Sequence, residues 1–213
     1  MHEISIKRYN PEMLDRTWWE SFQIPVIANN TILGALLYIK ENIDPSLAFR
    51  FSCRFKNCGL CAVMVDGIPK MACRTKVGHK MRIEPLYGLK PIRDLVVDRE
   101  EITGLFRANG IYPDGDIDVD APVIEGETGA RLRRCLECFA CLPTCETGKT
   151  CHGFAGPVIF VRLAQLYLDP RNRTNRREQA KALGIGYCAS CEKKTCYCIN
   201  GIDIERDAIS VLL

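Results

Sequence analysis

Thirteen cysteines stand among 213 residues, and twelve of them fall into three groups. The groups are Cys53, Cys58, Cys61 and Cys73, then Cys135, Cys138, Cys141 and Cys145, then Cys188, Cys191, Cys196 and Cys198. Only Cys151 stands outside them. Thiols gathered in fours constrain the backbone more than any apolar pattern, because each group must turn several side chains toward one point. An odd total leaves at least one cysteine unpaired in any all-disulfide scheme. The sequence begins Met-His-Glu-Ile-Ser-Ile, with no apolar stretch behind a basic start of the kind that marks a secretory signal. The expected setting is a reducing, cytoplasmic one, in which cysteines bind metal rather than each other.

Composition removes other classes. A net charge of +3 calls for neither nucleic acid nor a membrane surface. The longest apolar-rich stretch, 156–168, is interrupted by Arg162 and Gln165, well short of the ~18 apolar residues of a span. A chain of this length forms one large domain or two small ones with modest cores, which metal binding commonly supplements.

Residues 3–9 alternate, with Ile4, Ile6 and Arg8 on one side, and predict a strand. Residues 19–27 predict a second. Ile32, Leu36, Ile39 and Ile43 recur at helical spacing over 31–42, with Asn30 positioned as the cap. A hairpin is expected over 62–65 and 69–73 around Asp66-Gly67, followed by a strand at 81–85. Two strands, a helix and further strands in one small unit suggest a β-grasp arrangement. Residues 108–130 contain no Lys or Arg, and their acidic, Gly- and Pro-containing composition reads as a connector. Beyond it helices are expected from Gly156-Pro157, from a Thr174 cap to near Gly184, and over 203–212. The class is α+β: a β-grasp domain over 1–105, an acidic connector over 106–130 and a helical domain over 131–213.

The first group, Cys53-x4-Cys58-x2-Cys61-x11-Cys73, has the plant-type spacing of a [2Fe–2S] centre. Three thiolates converge from one wrapping loop and the fourth arrives from the hairpin below. Gly59 and Asn57 are the residue types for left-handed backbone in such a loop. Zinc, which takes paired knuckles on separate loops, fits this spacing poorly. The run Cys135-x2-Cys138-x2-Cys141-x3-Cys145 matches the ferredoxin pattern whose fourth cysteine serves a different cubane from the first three. The count closes if Cys135, Cys138, Cys141 and Cys198 hold one [4Fe–4S] cluster, and Cys145, Cys188, Cys191 and Cys196 hold a second. The competing arrangement puts zinc in Cys188, Cys191, Cys196 and Cys198 and leaves Cys135, Cys138, Cys141 and Cys145 as one self-contained cluster. Cys151 is expected to pack as a small apolar residue.

These motifs resemble the iron–sulfur subunit of the succinate dehydrogenase/fumarate reductase family. The resemblance runs through Phe49-Arg50-Phe51-Ser52-Cys53-Arg54, Cys58-Gly59, Cys61-Ala62, the stretch 91–98, the Cys135 run, Gly156-Pro157 and Cys198 with Gly201-Ile202. It is weakest over 108–130. It implies a β-grasp [2Fe–2S] domain, a helical domain with two cubane-type clusters, and a last cysteine that crosses back to the first cubane. It also implies an FAD-containing flavoprotein partner and single-electron relay toward an acceptor, with a membrane anchor or other acceptor subunit as a further partner, and hence a peripheral position on the cytoplasmic membrane face through those partners. The [2Fe–2S] centre would lie nearest the flavin.

Three departures narrow that implication. Glu146 and Ile199 stand where the family has proline. The third group has a cysteine more than members with a [3Fe–4S] centre, which favours a second [4Fe–4S], as in heterodisulfide-reductase-like relay subunits and thiol:fumarate reductases. No counterpart of the quinone-lining Trp and His residues is evident. No acid–base pair, nucleophile or phosphate loop appears, so no bond chemistry is expected on this chain.

Other features carry less. Asp114, Asp116, Asp118, Asp120 and Glu125 fit a calcium-loop register, but Val119 stands where glycine is required. Arg171, Arg173, Arg176 and Arg177 read as a solvated helix start, with a patch docking an acidic partner subunit or lipid headgroups as the sharper option. Trp18 and Trp19 read as core or interface, and His2, His79 and His152 as scattered structural or surface residues.

Overall fold

The computed structural model describes residues 1–26, 30–114 and 126–213. Most of the calcium-loop register, from Asp116 to Glu125, lies outside them. The chain divides into two units, Met1–Asp98 with Cys138–Ala140, and Arg99–Glu137 with Cys141–Leu213.

The first unit is built on strand β1 (His2–Tyr9), in which Ile4, Ile6 and Arg8 alternate inward and are buried. It pairs antiparallel with β2 (Thr17–Ile24), Ile4 opposite Phe22 and Tyr9 opposite Thr17. The second strand therefore starts earlier than the apolar pattern suggested, because backbone pairing continues to the end of β1. Helix α1 (Ile32–Asn42) buries Ile32, Leu36 and Ile39. Its cap is Thr31, not Asn30: the Thr31 hydroxyl accepts the Gly34 N–H at 3.2 Å. Strands β3 (Ala62–Val65) and β4 (Ile68–Met71) form the hairpin, and Asp66 and Gly67 both take the left-handed φ (49° and 79°) of a type I′ turn. Strand β5 (Lys80–Glu84) pairs parallel with β1 and antiparallel with β3. The sheet order is β2-β1-β5-β3-β4, the β-grasp arrangement, and a short ribbon of β6 (Pro91–Arg93) and β7 (Val96–Val97) follows.

Arg8 points into this unit with its side chain 4% exposed, and three carboxylates meet it. Its Nε donates to Asp94 at 2.9 Å, Nη1 to Glu20 and Asp44 at 2.5 Å, and Nη2 to Ser46 at 3.0 Å. The Asp94 carboxylate also accepts the Tyr9 and Ala48 N–H groups. Burying a guanidinium is tolerable only when its donors are met. Here the partners fix Ala48, from which the Cys53 loop departs.

The second unit is helical: α2 (Glu100–Ala108), α3 (Glu127–Leu132), α4 (Thr147–Thr150), α5 (Pro157–Tyr167), α6 (Arg176–Ala182), α7 (Gly186–Ala189), a π-helix (Glu205–Ile209) and α8 (Ser210–Leu212). Helix α5 is apolar around most of its circumference, with Val158, Ile159, Phe160, Val161, Leu163, Ala164 and Leu166 buried, so it forms the centre of the unit. Helix α6 ends at Gly184, whose φ of 87° suits the residue past the cap. A Cβ there would sit 2.8 Å from the Gly153 carbonyl.

Three expectations change here. Asn175, not Thr174, caps α6, accepting the Glu178 N–H. Arg176 is not solvated: at 1% exposure it donates to the Gly110 and Tyr112 carbonyls, Asn172 and Gln179 and pairs with Asp114. The expected last helix is instead a π-turn followed by a short α-turn, and within it the buried Asp207 carboxylate accepts from Arg131 and Arg206. No helix among the described residues is long and apolar enough to cross a membrane.

Candidate functional site

The Cys53–Cys61 loop is tightly wound. Arg54, Lys56 and Gly59 take positive φ (62°, 62° and 69°), whereas Asn57 does not, so two charged side chains do what the asparagine was expected to do. Arg54 is steadied by its guanidinium lying 5.5 Å from the Phe51 ring. The winding turns backbone donors inward: the Asn57 and Cys58 N–H groups reach Cys53 Sγ at 3.2 and 3.3 Å. What burial Cys53 has pushes its thiol up, but the Phe55, Asn57 and Cys58 N–H groups and the Cys58 thiol outweigh it and bring the pKa to about 7. Burial pushes Cys61 up to about 12, where it donates to Cys73 on the far end of the hairpin and also feels Cys58. Interaction thus links all four thiols of the group, and the Ala72 N–H, at the end of the hairpin, donates to Cys61 O at 3.0 Å.

In the second unit Cys145 comes together with Cys188, Cys191 and Cys196. Cys145 accepts a hydrogen bond from Cys196 and, despite burial, is drawn to about 7 with help from the Gly148 and Thr147 N–H groups. Burial raises Cys188 to about 12, and negative charge at Cys145 and Cys191 adds to it. The Thr147 hydroxyl and the Lys194 and Lys193 N–H groups lower Cys191. Cys196 is raised by its bond to Cys145 and by burial, and it also feels Cys188 and Cys141.

Threonine joins the two segments that carry these thiols. The Thr144 hydroxyl donates to the Cys141 carbonyl at 3.0 Å and accepts the Tyr197 N–H at 3.0 Å, while the Thr195 hydroxyl donates to the Thr144 carbonyl at 2.6 Å. Cys198 Sγ accepts the Asn200 N–H at 3.4 Å, and the Asn200 amide donates to the Arg134 carbonyl, next to Cys135. Cysteine spacing alone did not single out Thr144, Thr147 or Asn200. Their only signal was a small polar side chain beside each cysteine group. Cys151 belongs to none of these sets, its N–H bonding Thr147 O within a helical turn.

Among the described residues, no group of three or more His, Cys, Asp or Glu side chains closes around a point that would take a single ion. The donor chemistry nevertheless suits a larger cationic group. Four neighbouring thiols cannot all ionise without one, and each interacting set holds some thiols near pKa 7 and others pushed far up.

Residues 3–104 match the family described as a 2Fe-2S iron-sulfur cluster binding domain. The chain is similar to one subunit of the fumarate reductase (CoM/CoB) of Methanothermobacter marburgensis, 33% identical over 100% of this chain and 44% of that one. It is also similar to the fumarate reductase iron-sulfur subunit of Haemophilus influenzae, 31% identical over 89% of this chain and 86% of that one. It spans only 40–44% of the length of three of the curated relatives it matches. Its fold is that of a chain in the Mycobacterium smegmatis Sdh1 complex, with a TM-score of 0.82 at 23% identity, covering 99% of this chain and 93% of that one. Since the match to the Haemophilus influenzae protein runs nearly end to end, the chain belongs to the succinate dehydrogenase/fumarate reductase iron–sulfur subunit family.

Proposed function

We propose that this chain relays single electrons between a flavoprotein subunit and a downstream acceptor in a succinate dehydrogenase/fumarate reductase-like oxidoreductase complex. Its ligand sets are Cys53, Cys58, Cys61 and Cys73 for [2Fe–2S], Cys135, Cys138, Cys141 and Cys198 for one [4Fe–4S], and Cys145, Cys188, Cys191 and Cys196 for the second. The observation that carries this reading is the interaction of Cys145 with three thiols from a distant segment, the division the ferredoxin pattern demands.

Bound iron–sulfur clusters supply centres that change oxidation state one electron at a time. The chain's own residues hold the sulfurs, aim backbone N–H groups at Cys53, Cys145, Cys191 and Cys198, and bury Cys61, Cys73, Cys145 and Cys188. Hydrogen bonds to sulfur and burial are the levers on potential. We assign no independent catalytic site to the chain, and any membrane association is through partner subunits.

A second reading has the same relay serving a heterodisulfide-reductase-like or other non-quinone complex. The relative whose name specifies CoM and CoB favours it. Native anaerobic purification tests both. The expected preparation contains a flavoprotein, about ten irons per chain and no zinc. Zinc bound by the last four cysteines, or recovery without a flavoprotein, would overturn the proposal, and the identity of the other companions decides between the two acceptors.

A further inference from the structure

Two short links join the ligands of one cubane to those of the other. Leu142, Pro143 and Thr144 separate Cys141 from Cys145, and Tyr197 alone separates Cys196 from Cys198. Residues two apart on an extended chain lie at most about 7 Å from Cα to Cα, so one residue fixes how far the second link lets its two sulfurs part. Packing does not place that residue. Thr195 and Tyr197 are both exposed, the tyrosine by 50%. Among the described residues, no backbone–backbone hydrogen bond involves 195–197. What holds the link is Thr144. Its hydroxyl accepts the Tyr197 N–H at 3.0 Å, across 53 positions of sequence, and its carbonyl accepts the Thr195 hydroxyl at 2.6 Å. The same hydroxyl donates to the Cys141 carbonyl at 3.0 Å. That last bond is the local one a threonine commonly makes a turn back, whereas the bond to Tyr197 is long-range. One side chain therefore stands between the Cys141 end of the first link and the middle of the second. In keeping with this, Cys196 feels charge at Cys141 as well as at Cys145 and Cys188.

We infer that Thr144 is a positioning residue for the electron step between the two cubanes: by pinning the Tyr197 peptide, its hydroxyl sets the gap that the electron crosses. The inference rests on the proposed division of the ligands, with Cys141 and Cys198 serving one cubane and Cys145 and Cys196 the other. In that step one cubane loses the single electron that the other gains, and no bond or proton moves with it. Its rate is then governed by separation and by the groups that bridge the gap. The path from the Cys141 carbonyl through the Thr144 hydroxyl to the Tyr197 N–H is such a bridge, with both of its hydrogen bonds at 3.0 Å. Valine has the shape of threonine without the hydroxyl, so it breaks the bridge with little change in packing. Serine keeps the bridge.

The test uses the iron-loaded protein, with any subunits that accompany it. Fully dithionite-reduced samples are examined by EPR for the magnetic interaction between the two cubanes, and the rate of electron exchange between them is followed after one-electron photoreduction. The expected result is a clear interaction in the wild type, retained in Thr144→Ser. In Thr144→Val the interaction weakens and exchange slows several-fold, while iron content and the [2Fe–2S] signal stay unchanged. Thr195→Val, which removes only the donor to the Thr144 carbonyl, shifts both readouts the same way by less. Wild-type interaction and rate in Thr144→Val overturn the inference. So does a serine variant that behaves like the valine one, and so does loss of cubane iron from Thr144→Val, which would make the residue a structural support alone. Metal content of the wild type separates this inference from the cluster assignment. About ten irons with no magnetic interaction sinks the role of Thr144 and leaves the assignment standing, whereas fewer irons, or zinc, sinks both.

Discussion

The two units gather their thiols in opposite ways. In the first, all four cysteines lie within residues 53–73, and a loop wound through left-handed Arg54, Lys56 and Gly59 brings three of them round in front of a β-hairpin. Behind that loop stands a sheet with its own apolar core, including Ile4, Ile6, Leu36 and Ile83. In the second, Cys145 meets Cys188, Cys191 and Cys196 across a long stretch of sequence. The segments that carry them are short turns joined by Thr144 and Thr195. The α5 core lies beside these segments in sequence, not within them. A locally coded site inherits its rigidity from the fold, whereas a site assembled from distant segments must supply much of its own.

Removing iron should break this comparison open most widely. After anaerobic chelation, amide exchange over residues 135–151 and 188–201 is expected to lose protection by orders of magnitude, because ligand binding there is also folding free energy. Amides of β1 and β5 should keep theirs. Equal loss in both units would mean that the sheet, too, depends on metal.

The next largest effect runs the other way. Asp94→Ala leaves Arg8 short of its fully buried partner and strips an acceptor from the Tyr9 and Ala48 N–H groups. It should destabilise the first unit by about 3 kcal/mol in chemical denaturation, near the lower end for a broken buried pair. The visible absorption contributed by the cubane centres should be unaffected. A change confined to the second unit would contradict the division into units.

A smaller change sharpens the contrast. Thr144→Val removes the acceptor of the Tyr197 N–H and the donor to Cys141 O. The expected cost is roughly 1–2 kcal/mol of local stability. An altered cubane EPR spectrum with an unchanged [2Fe–2S] signal would check it, and a wild-type cubane spectrum would show that Thr144 has no hold on the site.

The β-grasp was legible because its signals are local: alternation at Ile4, Ile6 and Arg8, helical spacing from Ile32 to Ile39, and Asp66-Gly67 at the turn. The cysteine spacing was equally direct. What stayed hidden depended on partners far away in sequence. Arg176 reads as one of four arginines in a polar stretch until Gly110, Tyr112 and Asp114 surround it. Asp207 sits in what periodicity describes as an ordinary helix, and its burial against Arg131 accompanies a π-turn no local rule specifies. The caps shifted by one residue, to Thr31 and Asn175, because neighbouring polar residues compete for the same N–H and only the backbone path decides. The left-handed positions went to Arg54 and Lys56 for a related reason, since residue type is a weak guide where a loop is forced round its thiols.

The position of β1 between β2 and β5 carries a last consequence, for the order of events at birth. This strand leaves the ribosome before the cysteine loop, yet its parallel neighbour at Lys80–Glu84 emerges only after Cys73. The thiols of the first group are therefore translated, and open to air or to stray copper and zinc, before the platform beneath them can close. Iron delivery to this unit is best timed to follow release of residue 84, and a pause in synthesis just before it would prolong the exposure.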